Sequence, residues 1–362
     1  MTEMSVCASP SAGIDALCRR LAEFLRRAGR PVAFMEVCGT HTVAIFRSGL
    51  RSQLPEGLRI LSGPGCPVCV TDPSEIDMAL SLAKRDCILL TYGDMLRVPG
   101  SSGSLLDLKG GGARVRTVTS ALQSLEVARN NPTSEVVFLG VGFETTAPAT
   151  AITLRQALRH GLANFSVLCL HKTVPPVMRA LCSNPALKID GFILPGNVTV
   201  ITGLGDYAFL TDELHRAAAV AGFEPEEILA SIVDLARQVA ENDFRLSSWR
   251  LRDVPEGGNP TARRVLSEVF QPCDALWRGL GLIADSGCRM ATPYERFDAA
   301  KKFGLDPPTA GPDNGCRCGE VLSGLKTPPE CELYGTACTP VTPIGPCMVS
   351  GEGTCGAWYR YR

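Results

Sequence analysis

What the chain lacks most visibly is an excess of charge of either sign. Thirty-six Lys plus Arg stand against 37 Asp plus Glu, for a formal net charge of −1 over 362 residues. A nucleic-acid binder needs a basic patch, so nucleic acid is not an expected partner. Long apolar runs are also missing: no uninterrupted stretch approaches a membrane span, and Met1-Thr-Glu-Met-Ser-Val-Cys7 has no basic segment leading into an apolar one. The expectation is a cytoplasmic protein with no membrane partner. Neither G-x-x-x-x-G-K-[ST] nor G-x-G-x-x-G occurs at a strand–helix junction, which argues against a nucleotide site.

Histidine is scarce, and its placement matters. All four (His41, His160, His171, His215) precede the densest cysteine run, where Cys316, Cys318, Cys331, Cys338, Cys347 and Cys355 supply six of the sixteen cysteines. A metal bound there would be held by sulfur alone, as in a structural zinc site or an iron–sulfur cluster. Zinc usually takes its thiolates as two close pairs. This tail has one C-x-C and otherwise wide gaps, so spacing favours iron–sulfur. Cys316, Cys331, Cys338 and Cys355 form C-x14-C-x6-C-x16-C, but other sets of four remain open. A disulfide-stapled tail would need an oxidising compartment.

The rest of the chain alternates strand and helix. Ile14, Leu17, Leu21, Phe24 and Leu25 fall at helical spacing in an amphipathic helix over 11–29, ended by Gly29 and Pro31. From residue 32, short apolar runs lead repeatedly into Gly- or Pro-bearing turns and then helical stretches. Asp72-Pro73-Ser74-Glu75 marks the capped start of a helix over 73–84. The Gly- and Ser-rich stretch 99–112 reads as a long mobile loop, and helical spacing is read over 211–221 and 225–241. The expected fold is α/β: two similar lobes with parallel sheets flanked by helices around a cleft, 1–130 and 131–241, plus a Cys-rich domain over 242–362. Metal binding would supply much of the tail's folding free energy, because Gly, Pro and Cys bury little apolar area.

In open parallel sheets ligands bind at the carboxyl ends of strands, and the unusual turns all fall there. Cys66-Pro-Val-Cys69 stands between a strand and a capped helix, the setting of a dithiol redox motif whose thiolate is stabilised by free N–H groups. Cys38-Gly-Thr-His41 pairs a thiol with an imidazole; Cys38 then serves as a nucleophile or a ligand for a soft metal fragment, with His41 as its base. The competing reading gathers Cys38, His41, Cys66 and Cys69 into one zinc site. Glu144 and His171 are candidates for handling protons near the site. Cys87 and Cys169, inside apolar runs, read as inert core.

Five motifs in order, Cys38-Gly-Thr-His41, Gly63-Pro-Gly-Cys-Pro-Val-Cys69, Gly142-Phe-Glu-Thr-Thr-Ala-Pro148, Leu194-Pro-Gly-Asn-Val198 and Met348-Val-Ser-Gly-Glu-Gly-Thr-Cys355, resemble the HypD family of [NiFe]-hydrogenase maturation proteins. The resemblance runs from about residue 11 to the C-terminus. It implies a scaffold, monomeric when free, on which the Fe(CN)2CO group is assembled with HypC, cyanide arriving from HypE. It also implies a [4Fe–4S] cluster on Cys316, Cys331, Cys338 and Cys355, with Cys38 anchoring iron and Cys66 and Cys69 cycling between dithiol and disulfide. Cys318 and Cys347 receive no role. The alternatives are an iron–sulfur/dithiol oxidoreductase acting on a protein disulfide and a zinc-stabilised α/β binding protein.

Overall fold

The computed structural model describes residues 13–248, 254–306 and 314–361. Among the described residues eleven strands alternate with helices: β1 (Val32–Glu36), β2 (Leu58–Ser62), β3 (Cys87–Thr91), β4 (Val115–Thr117), β5 (Glu135–Gly142), β6 (Phe165–His171), β7 (Gly191–Pro195), β8 (Ala217–Ala221), β9 (Leu246–Ser248), β10 (Phe270–Trp277) and β11 (Gly281–Met290). Two parallel sheets, ordered β2-β1-β7-β8-β9 and β4-β3-β5-β6, and one antiparallel hairpin, β10-β11, account for all of them. The fold class is therefore the expected one.

The lobes are not consecutive stretches. The first sheet takes β1 and β2 from early in the chain and β7, β8 and β9 from residues 191–248, while the whole second sheet lies between Cys87 and His171. Strand pairing thus departs from the division at 130/131. The register Phe34↔Ile60 on one side of β1 and Phe34↔Gly191 on the other places the late segment directly beside the first.

Burial explains why these runs are strands. Each residue of β1 is buried, as in a strand covered on both faces. Val32 and Phe34 face the helices Ile14–Ala28 and Pro225–Glu241, whereas Ala33, Met35 and Val37 face a second core. That second core joins both lobes and the tail: Phe143, Val174, Phe192, Tyr207, Trp277, Leu322 and Cys347 meet in it beside Cys66 and Cys69. Truncating the fully buried Trp277 to Ala would cost about 3–5 kcal/mol.

The opening helix runs Ile14–Ala28 and stops at Gly29 with φ +66°. The Asp72 cap is a complete capping box with Glu75, and its helix runs Pro73–Ala83. Two local readings change. Residues 99–112 contain a helix, Leu105–Gly110, because Ser104 and Asp107 cap each other's backbone and Asp77 fastens Ser101. Of the stretch read as helical over 211–221, only the end of a short helix, Phe209–Asp212, is helical; Ala217–Ala221 is the interior strand β8, buried between β7 and β9 and packed against the helix Pro225–Glu241. None of the described helices is long and apolar enough to cross a membrane.

Candidate functional site

The strand ends of the first sheet bring Cys38 and the Cys66–Cys69 pair together. Cys38 caps the helix Gly39–Arg47 directly after β1, and Cys66 caps the short helix Pro67–Val70 after β2. Because β1 and β2 are neighbours in register, their turns touch: Gly39 N–H donates to Gly65 O at 3.1 Å. A Cβ at Gly65 would overlap the Cys38 backbone, so glycine is required for this approach. The zinc set of Cys38, His41, Cys66 and Cys69 does not form, since Cys66 and Cys69 are joined to each other as a disulfide, Cα atoms 5.2 Å apart, and His41 faces elsewhere.

His41 Nε2–H donates to Gly222 O at 2.8 Å, and the ring packs on Phe223. Burial lowers its pKa to about 4, so the imidazole is neutral at ordinary pH. What His41 offers the Cys38 sulfur is its backbone N–H, together with that of Thr40. The base expected of His41 is thus replaced by the amides of a helix N-terminus. They do not prevail: burial, followed by the carboxylates of Glu352 and Glu36, pushes the Cys38 thiol up to about 12. Glu36 is itself raised to about 8 by burial and accepts from Cys38 N–H at 3.0 Å. A thiol flanked by two carboxyls stays protonated until a cation arrives, which reverses the balance.

The tail closes over this site. Thr40 Oγ1 donates to Glu352 Oε1 at 2.8 Å, and a Cβ at Gly39 would overlap Glu352. Cys66 Sγ lies 3.4 Å from Ser350 Oγ and accepts from Cys69 N–H at 3.2 Å. Cys38, Cys66 and Cys69 are 6 %, 3 % and 0 % exposed, so a protein-sized partner reaches them only by displacing the tail.

Cys318 and Cys347, without a role in the sequence reading, are central. Their sulfurs are 2.9 Å apart and buried, and Cys318 Sγ lies 4.0 Å from Cys69 O. The Cys316 thiol hydrogen-bonds with that of Cys318, and the Cys355 thiol with that of Cys347. Sharing of these protons lowers the Cys318 pKa and raises those of Cys316 and Cys347. Of the remaining expected ligands, Cys338 Sγ accepts from Ile344 N–H at 3.4 Å, next to Gly345, against whose Cα the Cys316 sulfur rests. Cys331 begins the turn whose Tyr334 packs on Tyr359 of the Cys355 helix. The sulfurs in contact are those of Cys316, Cys318, Cys347 and Cys355, without Cys331 and Cys338, and among the described residues no three metal-ligating side chains converge as they would around a bound ion. The signal that would have exposed Cys318 and Cys347 is their own spacing from Cys316 and Cys355, two residues and eight.

The second sheet contributes oxygen and nitrogen. Glu144 follows β5 and accepts from Val174 N–H at 2.7 Å through Oε1; Oε2 has no partner, and burial raises the group to about 7. It lines a cavity of about 850 Å³ with Thr202, Arg263 and Phe270. His171 bonds Gly142 O at 3.3 Å and Thr150 Oγ1 at 2.8 Å, with its pKa lowered to about 4 by burial, and so ties β5 to the helix Ala147–Arg159. Beside it, Lys172 makes a buried ion pair with Glu75, 2.8 and 2.9 Å to the two oxygens.

Comparison with known proteins agrees with the motifs. Residues 13–362 match the family model described as "HypD: Hydrogenase formation hypA family". The chain is 44% identical over 353 residues to the hydrogenase maturation factor HypD of Escherichia coli, covering 96% of this chain and 94% of that protein. It is 42% identical over 356 residues to the same factor of Rhodobacter capsulatus, covering 96% and 94%. The hydrogenase expression/formation protein HupD of Azotobacter chroococcum is 42% identical over 340 residues, covering 92% and 90%. With the cysteine turns of the first sheet adjoined and the match spanning nearly the whole chain, this protein belongs to the HypD family of hydrogenase maturation factors.

Proposed function

We propose that the protein is the scaffold on which the Fe(CN)2CO group of [NiFe]-hydrogenases is assembled, working with HypC and taking cyanide from HypE. The observation that carries this reading is the contact between the Cys38 turn and the Cys66–Cys69 turn, Gly39 N–H to Gly65 O at 3.1 Å. It supports reading Cys38 as a metal-seeking thiol and Cys66–Cys69 as a two-electron store beside it. The iron fragment is cargo here. Low-spin iron bearing cyanide and carbonyl is soft and suits a thiolate, so bonding to iron would draw the proton from Cys38, which burial first and Glu352 and Glu36 after it otherwise keep protonated.

A [4Fe–4S] cluster on Cys316, Cys331, Cys338 and Cys355 would supply one electron at a time. Cys318 and Cys347 extend the thiol chemistry inward: Cys318 Sγ reaches the Cys69 carbonyl at 4.0 Å, and a local shift that brought the sulfurs together would let the pair exchange with the Cys66–Cys69 disulfide. Oxidation of one pair releases the two electrons and two protons that reduction of the other takes up, so the exchange is balanced. The alternative, an oxidoreductase for a protein disulfide, is disfavoured because Cys66 and Cys69 lie under the tail stretch Ser350–Glu352.

Anaerobic purification with HypC, followed by iron and sulfide assays and an infrared spectrum, tests the scaffold reading. The expected result is iron and sulfide with bands in the window where metal-bound cyanide and carbonyl absorb. Iron and sulfide without those bands would favour the oxidoreductase.

A further inference from the structure

Reduction and reoxidation of a disulfide move protons as well as electrons, and Cys66 is too buried to meet water directly. One chain of polar groups leads out from it. Cys66 Sγ is 3.4 Å from Ser350 Oγ, and the Ser350 hydroxyl donates to Asp94 Oδ2 at 3.2 Å. The same carboxylate oxygen accepts from Gly351 N–H at 3.3 Å, and Glu352 N–H donates to Ser350 Oγ at 3.2 Å, which fixes the hydroxyl between sulfur and carboxylate. Asp94 is exposed, in the Gly93–Arg97 turn after β3. On the far side the Cys69 carbonyl, not its sulfur, meets Cys318 Sγ, at 4.0 Å.

We propose that Ser350 and Asp94 are the proton path of Cys66, with Asp94 the positioning and proton-accepting residue acting through the serine. The proposal rests on the redox reading of Cys66 and Cys69. In the dithiol state Cys66 S–H donates to Ser350 Oγ. When a disulfide acceptor approaches, that proton passes to Ser350 as the Ser350 proton passes to Asp94, and the Cys66 thiolate forms. The thiolate attacks a sulfur of the acceptor, whose other half leaves as a thiolate and takes a proton from water. Cys69 then displaces the remaining half, which leaves as a thiolate and takes up the Cys69 proton, while Asp94 returns its proton to water. The protein loses two electrons and two protons, and the acceptor gains them. A carboxylate reaching a thiol through one hydroxyl is within the geometry of general base catalysis.

The charged and titratable groups facing Asp94 are Tyr92 and Arg97 on its own stretch and Glu352 and Arg360 from the tail; the helix Pro67–Val70, Val141 and the Thr145–Thr146 turn add none. Arg97 donates to Pro340 O and Arg360 to Gly351 O, so neither pairs with the carboxylate.

The test follows oxidation of the fully reduced protein by oxidised glutathione from pH 6 to 9, with differential alkylation and peptide mass spectrometry reporting Cys66 and Cys69 alone. At pH 7, Asp94→Asn and Ser350→Ala should each slow oxidation about tenfold, and the deficit should shrink toward pH 9 as hydroxide replaces the path. Asp94→Glu should retain more than half of the wild-type rate. Ser350→Ala leaves the Asp94–Gly351 bond in place and so keeps the test valid if Asp94→Asn disturbs the tail. Rates within twofold of wild type for Ser350→Ala at pH 7, or a deficit equal at pH 7 and 9, overturn the proposal. If the wild-type pair never passes between thiols and disulfide, the redox reading itself falls, and this proposal with it.

Discussion

The two parallel sheets end in turns of similar composition but opposite temper. At the ends of β1 and β2, beside the buried Glu36 and His41, the distinguishing groups are sulfurs whose partners are other sulfurs, one hydroxyl and backbone N–H groups. At the ends of β5 and β6 they are Glu144, His171 and Lys172, anchored to Val174 N–H, to Gly142 O and Thr150, and to Glu75. Sulfur bonds are weak and exchangeable, whereas a buried ion pair or a neutral imidazole with both nitrogens engaged is costly to disturb. The second sheet is thus built to stand still beside a first sheet built to react, and single substitutions can separate the two roles.

The largest effect is expected on the reactive side. Cys38→Ala should abolish retention of the iron fragment while leaving tail iron and sulfide unchanged, as read by infrared spectroscopy and metal assay; joint loss of both would deny that the sites are separate. On the static side, Lys172→Met strands the buried Glu75 carboxyl and should cost about 3–5 kcal/mol in denaturant unfolding. Oxidation of Cys66 and Cys69 by oxidised glutathione should survive in the folded fraction. A slowed exchange would blur the division.

Glu144 gives a smaller effect with a definite sign. Its pKa is about 7 when folded against 4.5 ordinarily, so the unfolded chain loses this proton first. Stability from this group is full below pH 4.5 and falls as pH rises through 7, by about 3 kcal/mol in all. Glu144→Gln, which keeps an oxygen for Val174 N–H, should shrink the decline in unfolding curves taken between pH 5 and 8.5 by about 3 kcal/mol, leaving the share due to Glu36. A decline unchanged from wild type would place its origin elsewhere. Smallest is Thr40→Val, which removes the bond to Glu352 and should cost about 1 kcal/mol or less, because the contact is exposed. Its useful readout is faster alkylation of Cys38 as the tail loosens.

Much of this was legible in local sequence. The opening helix, the Asp72 cap and the position of every reactive turn after a strand follow from periodicity and turn chemistry alone. Three things did not. Ala217–Ala221 has no β-branched residue except Val220, so its strand identity comes from being sandwiched between β7 and β9, a long-range fact. The return of the chain to the first sheet after β6 depends on pairing across more than a hundred residues, β1 with β7. The placement of Cys318 and Cys347 against Cys69, and of Asp94 against Ser350, joins segments about 250 residues apart, beyond the reach of motif spacing. His41 shows the converse: its proximity to Cys38 in sequence suggested a base, but a helix start turned the ring toward Gly222.

The most direct test of a metal-holding thiol adjoining a redox pair is the infrared spectrum of the anaerobic complex with HypC, recorded before and after stoichiometric opening of the Cys66–Cys69 disulfide. The account predicts that cyanide and carbonyl bands shift when two thiols replace the disulfide beside the Cys38-bound iron. Bands that stay fixed while mass spectrometry shows the pair fully reduced would contradict it.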